Sequence, residues 1–103
     1  MEFVTLNNGV KMPMVGFGTD AANAELTYNE VMAAATEAGY RMFDTAAMYG
    51  NQDELGAYLV NSGLDRSDYF LTSKVAQLEQ GYENTLQAFK LTTAALQTDY
   101  LDL

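Results

Sequence analysis

Neither cysteine nor histidine occurs among the 103 residues of the sequence. The missing thiols exclude a disulfide framework and a thiolate nucleophile, and the missing imidazole removes the commonest general base. Because these two residue types are also the usual ligands of transition metals, we expect no metal site. Any catalysis by this chain therefore depends on carboxylate, phenol, amine or amide groups.

Basic residues are also few, since 5 Lys and Arg stand against 14 Asp and Glu and give a formal net charge of -9. Such a chain repels phosphate backbones, so we expect no nucleic acid partner. No apolar run is long enough to span a bilayer, and the N-terminus lacks the basic and apolar regions of a signal peptide. With 49% hydrophobic residues, the chain has enough apolar side chains for a core. We expect a globular, cytoplasmic protein without a membrane partner.

Strand and helix patterns alternate along the chain. Residues 3–12 predict a hairpin that turns at Asn8-Gly9, a dipeptide that tolerates positive φ angles. Further strand patterns cover 14–19, 40–46, 69–75 and 100–103, and helix patterns cover 27–39, 51–63 and 81–98. The strand centres recur at steps of about 30 residues, the spacing of βα units. This alternation predicts a parallel sheet, either in an open doubly wound form or in a barrel.

The helix patterns carry signals for their ends and for their inward faces. Thr27 and Glu30 form a capping box at the start of the first helix, and Asn51 is expected to cap the second. The predicted inward faces consist of Val31, Ala34, Ala35 and Ala38 in the first helix, Leu55, Tyr58 and Leu59 in the second, and Leu86, Phe89 and Leu96 in the third.

Three ionisable residues stand at the predicted strand ends or in the loop that follows. Asp44 closes the second of the βα strands, Lys74 closes the third, and Tyr49 lies five residues after Asp44. Because the carboxyl ends of parallel strands meet at one edge, we expect the three to converge. A buried ammonium beside a phenol stabilises the phenolate, and a carboxylate keeps that ammonium charged. The trio suits carbonyl reduction with Tyr49 as proton donor, although each residue taken singly also fits a purely structural role.

Residues 16–21, GFGTDA, match the G-x-G-x-x-A pattern of dinucleotide-binding domains. In those domains the pattern opens directly into a helix whose N-terminus holds the pyrophosphate. Here the capped helix pattern starts only near Thr27. We therefore interpret residues 16–21 as a strand end followed by a loop.

Five segments occur in the order and at the spacing of one known family: LNNGVKMPMVGFGT, AGYRMFDTAAMYGN, YFLTSK, GYENTLQAF and DYLDL. On these segments the chain resembles the N-terminal part of the aldo-keto reductases, in particular bacterial members of the 2,5-diketo-D-gluconate reductase type. The resemblance implies that residues 1–103 are a partial α/β domain of the (β/α)8 TIM-barrel class. It would hold an N-terminal hairpin over 3–12, three βα units and the start of a fourth strand.

The same resemblance implies an oxidoreductase that reduces aldehydes and ketones with NADPH. Asp44, Tyr49 and Lys74 fall on three members of the family's catalytic tetrad, and Tyr49 is the implied proton donor. Gly18 and Thr19, together with Asp44, fall near the nicotinamide of the cofactor.

Two positions depart from the family where its substrate pocket is usually lined by aromatic side chains. Asp20 stands at one of them and Ala76 at the other. Their presence implies a pocket for a small carbonyl substrate that is more open or more polar than is usual in the family.

The length of the chain bears on whether it can catalyse the reaction by itself. A barrel of this type needs on the order of 250 residues, so the family's catalytic histidine and most of its NADPH site would lie beyond Leu103. We expect the isolated chain to be inactive and to have open strand edges, through which it could form a homo-oligomer. The alternative to an enzyme is a non-catalytic half-barrel that self-associates or binds a partner through those edges.

Overall fold

The structure, a computed structural model, describes residues 2–20 and 26–103. Ala21, the last residue of the G-x-G-x-x-A pattern, lies outside these residues. The described part contains a two-stranded antiparallel sheet, a three-stranded parallel sheet and three α-helices. None of the helices in residues 2–20 and 26–103 is long and apolar enough to cross a membrane.

The predicted N-terminal hairpin is confirmed. β1 (Phe3–Thr5) pairs antiparallel with β2 (Lys11–Pro13). At the turn Gly9 has a φ of 85°, and the Asn8 side-chain oxygen accepts a hydrogen bond of 3.1 Å from the Val10 N–H. Gly9 thus supplies the left-handed conformation that the turn requires.

The parallel sheet aligns the carboxyl ends of its strands. Its strands, in spatial order, are β3 (Phe17–Gly18), β4 (Met42–Asp44) and β5 (Phe70–Thr72). The register places Gly18 opposite Asp44, and Asp44 opposite Thr72. The three strands therefore end level with one another. The residues that follow the strands emerge at the same side of the sheet, formed by the carboxyl ends of the strands and called the carboxyl edge below.

Three helices cover the sheet: α1 (Tyr28–Glu37), α2 (Gln52–Asn61) and α3 (Tyr82–Leu96). The core between sheet and helices consists of Met32, Phe43, Leu55, Leu59, Tyr69, Leu71 and Leu96. α2 and α3 approach closely at Gly56, where an added Cβ would lie only 2.5 Å from the Ala95 carbonyl oxygen. Only glycine permits this approach.

The start of α1 agrees with the sequence. The Thr27 hydroxyl accepts a hydrogen bond of 3.2 Å from the Glu30 N–H and donates one of 3.0 Å to the Glu30 carboxylate. The inward face, however, is centred on Met32 and Ala35, whereas Ala34 and Ala38 are exposed. The larger side chain of Met32 fills the core, so α1 is rotated away from the predicted alanine face.

The inward face of α3 also differs from the prediction. Ala88, Thr92 and Leu96 are buried, whereas Leu86 and Phe89 are about half exposed. The close contact of α3 with α2 explains the difference, because a face of small side chains allows the approach that a face containing Phe89 would prevent. The inward face predicted for α2 is confirmed for Leu55 and Leu59, with Tyr58 partly buried.

The predicted start of a fourth strand at residues 100–103 is present as a backbone pairing with β5 and not as a full strand. The segment lies beside β5, where the Asp102 and Leu103 N–H groups both donate to the Leu71 carbonyl, at 3.0 and 3.2 Å. The Leu71 N–H, in turn, donates to the Asp102 carboxylate at 2.9 Å. The Ser73 N–H also donates to the Leu103 carbonyl at 3.1 Å, so Leu103 pairs with the end of β5 in the manner of a parallel strand.

Candidate functional site

Asp44 and Lys74 form an ion pair at the carboxyl edge of the parallel sheet. Asp44 is the last residue of β4, and Lys74 follows the end of β5 by two residues. The Lys74 Nζ lies 2.8 Å from each carboxylate oxygen of Asp44 and donates to the Thr45 carbonyl at 3.1 Å. The level ends of β4 and β5 bring the two side chains together.

Tyr49 lies beside this ion pair. It ends a 3-10 turn, Ala47–Tyr49, whose first N–H donates to the Lys74 carbonyl at 3.3 Å. The turn closes at Gly50, which has a φ of 71°. The Lys74 Nζ lies 5.4 Å from the centre of the Tyr49 ring, within the range of a cation–π contact. The structure thus brings together Asp44 and Lys74, which the sequence placed at strand ends, and Tyr49, which it placed in the following loop.

The surroundings of Lys74 favour its charged form. Burial by itself lowers the pKa of Lys74, but the hydrogen bond and charge of Asp44, with a further contribution from Tyr49, outweigh this effect and raise the pKa overall. Lys74 is therefore an ammonium at neutral pH.

The expectation of a buried ammonium is wrong for this chain. The Lys74 side chain is 49% exposed and that of Asp44 34% exposed. Both stand at the carboxyl ends of their strands, where the described residues leave them partly exposed.

Thr19 fixes the end of β3 against β4. Its N–H and its hydroxyl both donate to the Asp44 carbonyl, at 3.0 and 2.9 Å, and its side chain is buried. The Thr19 carbonyl accepts a hydrogen bond of 2.8 Å from the Asn51 side-chain amide. Thr19 therefore connects the strand that carries Asp44 to the segment that follows Tyr49.

Asn51 does not cap α2 as the sequence predicts. It occupies the position before the helix, but its side chain makes no capping hydrogen bond. The amide points instead toward Thr19, and its Oδ1 has no hydrogen-bond partner among the described residues. The contact joins residues 32 positions apart, so no local pattern signals it.

A cavity of about 310 Å³ opens between the end of β3 and the first turns of α1 and α2. Gly18, Thr19, Asp20, Tyr49 and Asn51 are among its lining residues. Asp20 thus shares a cavity with Tyr49. Ala76, which precedes a separate 3-10 turn over Gln77–Glu79, is not among the described residues that line it.

Tyr28 lines the inner wall of the same cavity. Burial raises its pKa to about 12, the nearby Thr19 hydroxyl opposes this shift, and the charges of Glu54 and Asp53 add to it. No group of three or more Asp or Glu residues in residues 2–20 and 26–103 is arranged to hold a metal ion.

Two contributions to this site carry no recognisable sequence signal. The Thr45 carbonyl that receives the Lys74 ammonium is a backbone group, which any residue could supply. The amide of Asn51 resembles an ordinary helix cap in sequence. Both groups act through contacts between segments that are distant in the chain, which local sequence patterns do not reveal.

The sequence is similar to those of known proteins. A sequence profile described as the Aldo/keto reductase family matches residues 14–103. Morphine 6-dehydrogenase of Pseudomonas putida is 45% identical over 100 residues, which cover 97% of this chain and 33% of that protein. Glyoxal reductase of Bacillus subtilis is 45% identical over 102 residues, which cover 99% of this chain and 37% of that protein. The chain thus spans about a third of the length of the curated relatives it matches.

Solved structures of aldo-keto reductases also match. One from Brucella melitensis has a TM-score of 0.87 and 40% identity, and the match covers 97% of this chain and 39% of that one. One from Bombyx mori in complex with NADP has a TM-score of 0.87 and 27% identity, with coverage of 97% and 36%. These matches confirm the predicted fold class, an α/β portion of the family's barrel. The chain therefore belongs to the aldo/keto reductase family.

Proposed function

We propose that residues 1–103 form the part of an aldo-keto reductase domain that donates the proton during reduction of aldehydes and ketones to alcohols. The single observation that carries this proposal is the Lys74 ammonium, held by both carboxylate oxygens of Asp44 and lying beside the ring of Tyr49. In this role Tyr49 donates its phenolic proton to the carbonyl oxygen of the substrate as that oxygen gains negative charge.

The charges around Tyr49 suit this proton transfer. The Lys74 ammonium stabilises the phenolate that remains after the proton has left. Asp44 keeps Lys74 protonated, as the raised pKa of Lys74 indicates. The carboxylate therefore acts on Tyr49 through the lysine.

The residues at the end of β3 fit the nicotinamide end of NADPH, which supplies the hydride when bound. An added Cβ at Gly18 would meet no atom of residues 2–20 and 26–103 within 4 Å, so these residues leave the surface above this strand end open to a flat ring. Thr19 and Asp44 lie on the same edge, and their hydrogen bonds hold that edge in place. The similar Bombyx mori structure is a complex with NADP, which supports the choice of cofactor.

The substrate is proposed to be a small carbonyl compound. Asp20 lines the cavity beside Tyr49 and would present a polar wall to it. Ala76 lies elsewhere in this chain, so its predicted place in the substrate pocket requires a contribution from further protein.

A second candidate function is a non-catalytic half-barrel that self-associates. Several large apolar side chains of α3 are exposed, with Leu91 67% exposed and Leu86 and Phe89 about half exposed. β3 pairs with only one strand within the described residues, so its other edge can accept a strand from a second copy. Self-association would cover both features.

Because the isolated chain is expected to be inactive, the test joins residues 1–103 to the remaining part of an aldo-keto reductase barrel. It compares NADPH oxidation with a small aldehyde in this completed barrel, in its Tyr49→Phe variant and in its Tyr82→Phe variant. Phenylalanine keeps the ring beside Lys74 but removes the proton, so we expect the Tyr49→Phe rate to fall at least about a hundredfold. Tyr82 is 82% exposed and serves as the matched control, whose loss of a hydroxyl should leave the rate unchanged.

Equal, measurable rates in the completed barrel and in its Tyr49→Phe variant would contradict the role of Tyr49. If the completed barrel folds but oxidises no NADPH, the mass of the isolated chain in solution becomes the deciding quantity. A stable oligomer would then favour the half-barrel function, and a monomer would contradict that function as well.

A further inference from the structure

We propose that Asn51 is a positioning residue, which anchors the turn carrying Tyr49 to the end of β3 instead of capping α2. Its importance for catalysis rests on the proton-donor role proposed for Tyr49. The anchoring itself is a property of the fold and can be tested without turnover.

The Tyr49 turn is attached to the sheet on both sides. Upstream, the Ala47 N–H donates to the Lys74 carbonyl beyond β5. Downstream, the Asn51 amide donates to the Thr19 carbonyl beyond β3 at 2.8 Å. The short segment between these two hydrogen bonds contains Tyr49. The turn is therefore held on one side by the residues beyond β5 and on the other by the residue beyond β3, the two outer strands of the parallel sheet.

The burial and hydrogen bonding of Asn51 support a role in positioning the Tyr49 turn and not in capping α2. The residue is only 7% exposed, yet its Oδ1 is unpartnered within the described residues. A buried acceptor without a partner costs free energy, and an asparagine turned toward the N–H groups of α2 could avoid that cost. The amide is held by Thr19 instead, and Thr19 in turn donates twice to the Asp44 carbonyl. The hydrogen bonds of Asn51 and Thr19 thus connect the Tyr49 turn to β4, the strand that carries the Asp44 carboxylate.

Two substitutions at Asn51 distinguish positioning from capping, because the two roles predict opposite orders of tolerance. Asn51→Ser keeps a good helix cap but cannot donate an amide proton to Thr19. Asn51→Gln keeps an amide donor, with room in the adjoining cavity for one more methylene, but is a poor cap. Capping predicts that Ser is tolerated better than Gln, whereas positioning predicts that Gln is tolerated better than Ser.

Amide hydrogen exchange by NMR provides the readout. The Tyr49 N–H bonds to the Ala46 carbonyl and the Thr19 N–H to the Asp44 carbonyl, so both report on local opening. In Asn51→Ser we expect both to exchange about tenfold faster, the effect of losing one buried hydrogen bond, while buried Leu59 within α2 is unchanged. Asn51→Gln should restore much of the protection.

Asn61→Ser is the matched control, because the Asn61 amide also donates to a carbonyl at 2.8 Å, but locally and on the surface of α2. It should leave the Tyr49 and Thr19 amides unchanged. The proposal is overturned if Asn51→Ser exchanges like the native chain, if Gln is worse than Ser, or if all amides, Leu59 included, accelerate equally.

Turnover is measured separately, on the same variants of the completed barrel. A completed barrel that folds but oxidises no NADPH would refute the proposed function, while the exchange data would still decide whether Asn51 anchors the turn. Where turnover is detected, Asn51→Ser should lower kcat for the aldehyde with little change in KM, because the proton donor is displaced and not the bound substrate.

Discussion

Gly56 offers a sharp test of how α2 and α3 are packed. In Gly56→Ala the new Cβ would lie 2.5 Å from the Ala95 carbonyl oxygen and 2.7 Å from the Leu96 Cα. Both are backbone atoms, so no side chain can rotate away and one helix must move. Overpacking of this kind costs up to about 3 kcal/mol, and alanine recovers about 1 kcal/mol through its higher helix propensity. We therefore expect a net loss of about 2 kcal/mol in the free energy of unfolding.

Urea unfolding followed by far-UV circular dichroism measures this change. Ala57→Gly, on the exposed side of the same helix, is the control, and helix propensity alone predicts that it costs about 1 kcal/mol. Alanine should thus be the worse residue at position 56 and the better one at position 57. If Gly56→Ala is instead stabilised by about 1 kcal/mol, propensity alone operates and the close helix contact is refuted.

Two further predictions concern ionisation. Asp44→Asn should lower the pKa of Lys74, because the substitution removes the negative charge that raises it. A ¹³C NMR titration measures this pKa, with Lys11 and Lys90 as reference lysines. An unchanged pKa of Lys74 would argue against the ion pair. The pKa of Tyr28 is raised from 10.0 to about 12 in the folded chain, so its contribution to stability is complete below pH 10 and is lost as the pH rises toward 12. Tyr28→Phe should therefore flatten the fall in unfolding free energy over that range, and an unaltered slope would contradict the burial of this phenol.

Local patterns in the sequence predicted much of the fold. The turn at Asn8-Gly9 and the capping box of Thr27 depend on neighbours within a few residues, so they can be recognised without the tertiary structure. The pairing of Asp44 with Lys74 was also predictable, because parallel strands end at a common edge whatever their exact register.

What the sequence did not predict depends on contacts between distant segments. α3 offers two apolar faces, and only the close approach at Gly56 decides that Ala88 is buried and Phe89 is not. Asn51 satisfies the local rule for a helix cap, but its Nδ2 donates to the Thr19 carbonyl and its Oδ1 makes no capping hydrogen bond to α2. In both cases the local preference is overruled by a partner more than 25 residues away in the chain.

The spatial order of the parallel sheet, β3, β4 and β5, is also the order in which its strands are synthesised. Each strand pairs with the one made before it, so no strand has to be inserted between two that are already in place. Connections of this short range keep the entropic cost of loop closure low and favour rapid folding. A chain emerging from the ribosome can therefore extend its sheet one βα unit at a time, and Asp44 meets Lys74 as soon as β5 has docked.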